Sequence, residues 1–242
     1  SLIDLYTGGI DYSVSAFSNR TDNKDYMPVF RFKAKGLTQN LDKLVDLLKE
    51  ISLHTVFTNK DRLVELVEET KAGWDMDAFR RGHTIVMHRV LSYVSPVEAF
   101  CDAGELSYYE FITDVASRIH TDAEAIGAKL AAVMKKIFTR SALTLEVTAS
   151  RDDWQTAKNT VSSWITALPQ GEKLQGLCDF GLSRKNEGIM TSGTVQYVAK
   201  GGNFRSHGYD YDGSLMVLDT ILQYGYLWTK IRVQGGADGA FT

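Results

Sequence analysis

The sequence predicts an α+β fold in which antiparallel-rich sheets pack against helices in two-layer units. Near the N-terminus, apolar and polar residues alternate with the period of a half-buried strand. From residue 41 onward the apolar residues recur every three to four positions, which is the period of an amphipathic helix. With 242 residues, 44% of them hydrophobic, the chain can bury a core without a disulfide or metal.

The first elements are a predicted strand pair and a helix. Residues 10–17 and 29–35 alternate and are separated by a polar stretch, so we expect them to pair antiparallel. The helix that follows has charged residues on one face and an apolar stripe on the other. The stripe consists of Leu41, Leu44, Val45, Leu48 and Ile51.

The middle of the chain is predicted to be mainly helical. Its helices are predicted at residues 61–93 with an interruption near Gly73, then at 95–101, 108–119 and 122–138. A strand is predicted at 142–148. The next helix, at 152–168, starts with acidic residues, which the helix dipole favours.

A second Ala-Lys-Gly sequence suggests a tandem repeat of one domain type. The strand predicted at 193–201 ends in Ala199-Lys200-Gly201, and the strand at 29–35 runs into Ala34-Lys35-Gly36. A helix is predicted after each, here at about 213–230. We therefore expect one unit over residues 1–170 and a second over 171–242 that is much shorter at its C-terminal end.

Composition excludes several classes of partner. A net charge of −3 gives no broad basic surface for nucleic acid or an anionic membrane. The longest apolar runs fall far short of the roughly 20 residues of a membrane span. Two widely separated cysteines and the lack of a signal-peptide pattern favour an intracellular location, in the cytoplasm or an organelle matrix.

The common catalytic motifs are absent from the sequence. It contains no GxSxG, P-loop or GxGxxG pattern. His83 and His88 are five positions apart on a predicted helix, roughly 140° apart around its axis, so they are poorly placed to share a metal. We expect no catalytic residue and no metal ligand on this chain.

One segment near the C-terminus indicates ligand binding. An apolar helix end runs into Arg232 and a glycine-dense loop that contains Gly235, Gly236 and Asp238. Glycines let a ligand approach the backbone closely, and a guanidinium offers a rigid fork of donors. Taken alone, the pattern is also that of an ordinary helix C-cap followed by a turn.

This segment resembles the pitrilysin/insulinase family of zinc metallopeptidases, and most of all its presequence-protease branch. That branch has a Leu/Trp-rich helix end followed by Arg-x-Lys-Gly-Gly-Ala-Tyr-Gly, and the matching residues here are Tyr226-Leu227-Trp228 and Arg232-Val233-Gln234-Gly235-Gly236-Ala237-Asp238-Gly239. Weaker resemblances at residues 7–10, 195–201 and 211–215 occur in the same order. The resemblance therefore covers nearly the whole chain.

The resemblance implies four similar α+β domains of the LuxS/mitochondrial-processing-peptidase-like type, in two halves that close over a peptide. The N-terminal half would carry an HxxEH zinc motif whose Glu activates a zinc-bound water, and this chain has no HxxEH. Residues 1–170 would be an N-terminally truncated third domain, and 171–242 the C-terminally truncated start of the fourth. The partners would be a peptide substrate and the catalytic half.

By the same resemblance, Arg232 would bind the substrate backbone, in a loop formed with Gly235 and Gly236. Asp238 stands where the family has a Tyr that donates a hydrogen bond near the developing oxyanion. An ionised Asp only accepts hydrogen bonds, so it cannot perform that task. Gln234 also replaces the usual Lys, which removes a positive charge.

Three functions stay open at this point. The chain could be the noncatalytic C-terminal part of an active zinc endopeptidase that degrades short unstructured peptides. It could instead belong to a catalytically dead relative that binds peptides or assists assembly, which Asp238 favours. The third alternative is an unrelated α+β interaction domain.

Overall fold

The N-terminal residues of the computed structural model form a short helix and the expected strand pair. Helix α1 spans Leu2–Tyr6, and strands β1 (Ile10–Ser18) and β2 (Tyr26–Ala34) pair antiparallel along their whole length. The predicted hairpin is therefore confirmed. Its aromatic and aliphatic residues supply one layer of the core.

The structure describes residues 1–19, 22, 25–172, 176–190 and 194–242. These residues divide into two compact units, Ser1–Gly201 and Gly202–Thr242. The assignment of the chain to a third and a fourth peptidase-like domain stays a prediction.

Helices make up most of the first unit after the hairpin. They are α2 (Leu41–His54), α3 (Lys60–Arg80), α4 (Gly82–Ser92), α5 (Pro96–Ala103), α6 (Leu106–Ile137) and α7 (Trp154–Ala167). One-turn 3₁₀ helices precede α2 at Thr38–Asn40 and follow α6 at Arg140–Ala142. The predicted helices at 41–51 and 152–168 are thus confirmed, with small changes at their ends.

The main core lies between the hairpin and the pair α2 and α7. Phe30 and Phe32 of β2 pack edge-on against Phe138, with ring centroids 5.8 and 5.5 Å apart. The stripe predicted on α2 contributes three of the buried residues. The buried cluster consists of Leu44, Val45, Leu48, Phe138, Val161, Trp164 and Leu168. A sheet packed on helices confirms the α+β class, although the described sheet has only two strands.

Two predicted helix boundaries in the middle of the chain were wrong. Helix α3 runs through Gly73, and the interruption falls just before Gly82, where an added Cβ would lie 2.3 Å from the ring of Tyr197. The helices predicted at 108–119 and 122–138 are one continuous helix, α6. Nothing within 4 Å surrounds a Cβ at Gly73, so that glycine only weakens the helix slightly.

Two predicted strands were also wrong. Residues 143–148 and 195–200 belong to no strand, and Gly193, where the second was predicted to begin, lies outside the described residues. Ala199-Lys200-Gly201 therefore does not end a strand as the earlier Ala-Lys-Gly segment does. The structure gives no support to this part of the predicted tandem repeat.

The second unit is built around one helical stretch. A 3₁₀ turn at Phe204–His207 precedes α8 (Ser214–Thr220), which continues into a π-helix over Ile221–Val233. The helix predicted at 213–230 is confirmed and extends three residues further. Across the described parts of both units, no helix combines the length and apolarity that crossing a membrane requires.

Candidate functional site

The predicted substrate-binding residues lie where the π-helix ends. The N–H of Gly236 donates to the carbonyl oxygen of Arg232 at 3.0 Å, and that of Ala237 donates to Ile231 at 3.2 Å. Gly236 has a φ of +74°, the left-handed conformation that ends many helices at glycine. The closure resembles a Schellman motif with one extra residue in each turn, as suits a helix with i→i+5 bonds.

The side chain of Arg232 folds back over this helix end. Its Nε donates to the backbone carbonyl oxygen of Asp238 at 2.9 Å, and its guanidinium carbon lies 4.3 Å from the centroid of the Trp228 ring. A cation over an indole face contributes about 0.5–1 kcal/mol at an exposed site. No other described residue forms a hydrogen bond or ion pair with its two Nη groups, which leaves them to donate to a ligand oxygen.

Gly235 and Asp238 complete the loop in different ways. A Cβ at Gly235 would lie 2.5 Å from the carbonyl oxygen of Ile231, so a larger residue there would push the helix end apart. The side chain of Asp238 is exposed, and its contact with Arg232 uses the backbone oxygen rather than the carboxylate. The structure thus brings all four predicted residues into one exposed loop.

A polar cluster in the first unit was missed by the sequence analysis. Arg89 Nη1 donates to Asp102 Oδ2 at 2.8 Å, and Arg89 Nε donates to Glu187 Oε2 at 2.7 Å. The hydroxyl of Tyr93 also donates to Glu187 Oε2, at 2.5 Å. The bonds from Arg89 and Tyr93 lower the pKa of Glu187 from its usual 4.5 to about 2. Glu187 lies far from Arg89 in sequence, so no local pattern could have shown this pair.

The cluster borders a shallow cleft of about 180 Å³. Arg89, Asp102 and Lys185 supply charge along its wall, and Phe180 and Leu182 supply apolar surface. Asp102 Oδ1 is buried and has no hydrogen-bond partner among the described residues. The arrangement ties the extended segment around residue 187 to α4 and gives that segment a fixed position.

Three side chains of metal-binding types meet between α4 and α5. His88 Nδ1 lies 2.8 Å from Glu98 Oε2, and the ligand atoms of His88, Glu98 and Cys101 all lie within 4.8 Å of one another. Burial, then the carboxylates of Glu98 and Glu105, raise the pKa of the Cys101 thiol. The sequence analysis tested His88 only with His83 and missed this set. The one-turn spacing of Glu98 and Cys101 on a helix was the available signal.

Two family models match the chain. The first describes a domain associated with a subfamily of pitrilysin-type peptidases, and it matches residues 1–115. The model described as PreP C-terminal domain matches residues 186–242. The second match includes the whole Arg232 loop.

Curated relatives match along nearly the whole chain. Protein HypA of Clostridium perfringens is 33% identical over 99% of this chain and 25% of its own length. Presequence protease 1, chloroplastic/mitochondrial, of Arabidopsis thaliana is 28% identical over 99% of this chain and 22% of its own length. Presequence protease, mitochondrial, of Yarrowia lipolytica is 24% identical over 98% and 24%. The chain spans about a quarter of the length of these relatives.

By fold and sequence, the chain is related to a family of peptidases. Within it, the chain is presequence-protease-like and corresponds to a C-terminal part of such pitrilysin-family proteins. The resemblance predicted from the Arg232 segment is therefore confirmed. The alternative of an unrelated interaction domain is wrong.

Proposed function

We propose that the chain is a noncatalytic part of a zinc metalloendopeptidase that encloses and degrades short unstructured peptides. The observation that carries the proposal is the match of residues 186–242 to the PreP C-terminal domain, because this region contains the Arg232 loop. The relatives named presequence proteases, aligned over nearly the whole chain, support it further. The chain would contribute contacts to the peptide rather than catalysis.

The proposed role of Arg232 follows from how its guanidinium is held. The bond from Nε to the Asp238 carbonyl oxygen and the stacking on Trp228 fix the plane of the group. Its Nη groups would then donate to a backbone carbonyl or terminal carboxylate of a peptide. Because Gly235 and Gly236 carry no side chain, the peptide backbone could lie close against the loop.

The zinc of the parent protein would be held by its N-terminal half. When bound, it would supply a polarised water for attack on the scissile peptide bond. This chain has no HxxEH to hold that ion, so its own residues would only bind and orient the peptide. The names of the presequence proteases place those proteins in mitochondria or chloroplasts, which supports the organelle matrix, with the cytoplasm as the other compartment proposed.

The domain assignment is part of the same proposal. Residues 1–170 would be the third LuxS/mitochondrial-processing-peptidase-like domain, and residues 171–242 the start of the fourth. The helical stretch of the second unit leaves many apolar side chains exposed, as expected if further parts of the parent cover it. These side chains include Met216, Val217, Leu218, Ile221, Tyr224 and Tyr226.

A second candidate function is that of a catalytically dead relative that binds peptides or assists assembly. Asp238, at the position of the family Tyr, favours it because an exposed carboxylate cannot donate to an oxyanion. Loss of one such donor costs about 10²–10³ in rate. In an active parent, Asp238→Tyr would raise the rate. In a dead relative, the same change would leave the rate at background.

The experiment is to express the parent protein with its N-terminal half and to measure cleavage of a short unstructured peptide. Arg232→Ala should lower kcat/KM at least about tenfold, since a charged hydrogen bond contributes about 1.5–3 kcal/mol. Arg151→Ala, which removes an exposed guanidinium elsewhere, is the matched control and should change little. Peptide binding without cleavage would favour the dead relative. Zinc-dependent cleavage by the 242-residue chain alone would overturn both candidates.

A further inference from the structure

We propose that His88, Glu98 and Cys101 form a zinc site that joins α4 to α5. The three ligand atoms already lie within 4.8 Å of one another. Two ligands held 2.0–2.1 Å from a tetrahedral zinc lie roughly 3.3 Å apart. The His88 Nδ1 to Glu98 Oε2 distance of 2.8 Å must therefore widen by about half an ångström. Rotation of the Glu98 side chain is sufficient for such a change.

The donor set selects the metal. An imidazole nitrogen, a thiolate sulfur and a carboxylate oxygen are all common zinc ligands, whereas magnesium and calcium prefer oxygen alone. With Cys101 bound as a thiolate and Glu98 as a carboxylate, two negative charges balance the ion. Three protein ligands leave a fourth position for water. On binding, the proton of the Cys101 thiol goes to solvent.

The two helices hold the ligands in place before any metal arrives. The hydroxyl of Ser95 accepts a hydrogen bond from the N–H of Glu98, and Pro96 occupies the first turn, so the start of α5 is fixed. Glu98 and Cys101 are one turn apart, on the face that meets His88 of α4. The exposed fractions of the His88 and Glu98 side chains are only 21% and 28%. A bound ion would therefore be partly shielded from solvent.

The simpler alternative is a His88–Glu98 hydrogen bond with Cys101 as a neighbour. The two interpretations differ in what Cys101 does, because only a metal site needs its sulfur. The inference also departs from the sequence-based expectation of no metal ligand on this chain. It is independent of the proposed peptidase function, since the chain carries no HxxEH and the test below measures binding rather than activity.

The test is a titration of the reduced 242-residue chain with Co²⁺, followed by displacement with Zn²⁺. We expect one equivalent to bind, with a thiolate-to-cobalt charge-transfer band and visible bands of four-coordinate cobalt. Cys101→Ser should abolish the charge-transfer band. His88→Gln and Glu98→Gln should each weaken binding at least about tenfold. Cys178→Ser, which removes the exposed cysteine, is the matched control and should leave the spectrum unchanged.

Thermal unfolding with and without Zn²⁺ provides a second readout that does not depend on colour. Zinc should raise the Tm of the wild-type chain and leave that of folded Cys101→Ser unchanged, because a ligand stabilises only the state that binds it. Circular dichroism of each variant establishes that it is folded. The proposal is overturned if the wild-type chain gives no thiolate band. It is equally overturned if Cys101→Ser binds with unchanged affinity or the Cys178→Ser control loses the band.

Discussion

Trp164 Nε1 donates a hydrogen bond to the hydroxyl of Ser52, 2.9 Å away, in the buried contact between α7 and α2. Ser52 in turn donates to the carbonyl oxygen of Leu48 at 2.6 Å. Trp164 is only 4% exposed and Ser52 only 7%. The indole thus enters the core with its one polar atom satisfied by a residue from the other helix.

Ser52→Ala should destabilise the chain by about 1–3 kcal/mol, because it leaves the buried indole N–H without a partner. Urea unfolding of the variant and the wild-type chain measures the difference. Ser162→Ala is the matched control, since its hydroxyl donates to a backbone carbonyl on the exposed face of α7. Equal stability of the two variants would contradict this account of Trp164.

Two glycine substitutions in helices should have opposite effects. At Gly127 of α6, a Cβ would lie 2.3 Å from the carbonyl oxygen of Phe57, so Gly127→Ala should cost about 1–3 kcal/mol. At Gly73 of α3, nothing lies within 4 Å of a Cβ, so Gly73→Ala should stabilise by about 0.5–1 kcal/mol. Thermal unfolding of the pair compares them directly. A stabilising Gly127→Ala would mean that the connection between α2 and α3 moves away easily.

Glu187→Gln should destabilise the chain at neutral pH and have little effect in strong acid. Its bonds to Arg89 and Tyr93 give Glu187 a native pKa of about 2, below the usual 4.5. The stabilisation is therefore complete above about pH 4.5 and is lost as the pH falls towards 2. Since the pair is partly exposed to solvent, we expect about 1 kcal/mol at pH 7.

Urea unfolding across about pH 3–7 measures this effect. Glu172→Gln, an exposed carboxylate in the same region, provides the control and should show no such pH dependence. A stability difference that stays constant across the range would show that the charge on Glu187 is not its source.

Asp238→Tyr should leave the end of the π-helix intact, because Arg232 contacts the backbone oxygen of residue 238. Gly236→Ala should loosen it, since a φ of +74° costs a residue with a Cβ about 1–2 kcal/mol. Hydrogen exchange of the Ala237 amide, which bonds to Ile231, reports on both variants. We expect no change in the first and exchange at least about fivefold faster in the second. The reverse order would mean that the Asp238 side chain holds the loop.

The elements that could be predicted from the sequence are those whose apolar pattern faces the main core. The stripe on α2 and the alternation in β2 both point at Phe138 and Trp164, so local pattern and tertiary packing agree. Residues 143–148 and 195–200 show the same alternation without becoming strands. Alternation specifies two faces, but a strand also needs a neighbouring edge for its hydrogen bonds.

The helix break and the polar clusters depend on contacts distant in sequence. A glycine within a helix costs only about 1 kcal/mol, so Gly73 does not end α3. At Gly82 the ring of Tyr197 occupies the space of a side chain, which no local pattern reveals. The Arg232 loop could be found because its residues are contiguous. The pairing of Arg89 with Glu187 joins segments with no common motif.

The π-helix has a consequence for how this chain is matched to its relatives in space. Each of its turns holds one more residue between donor and acceptor than an α-helical turn, and it spans Ile221–Val233. Laid over an α-helical counterpart from its first residue, the segment drifts progressively in rotation and rise. Superposition and sequence alignment would therefore assign different counterparts to Arg232 and Asp238. The tyrosine equivalent of residue 238 should be sought by anchoring the comparison at the glycine pair.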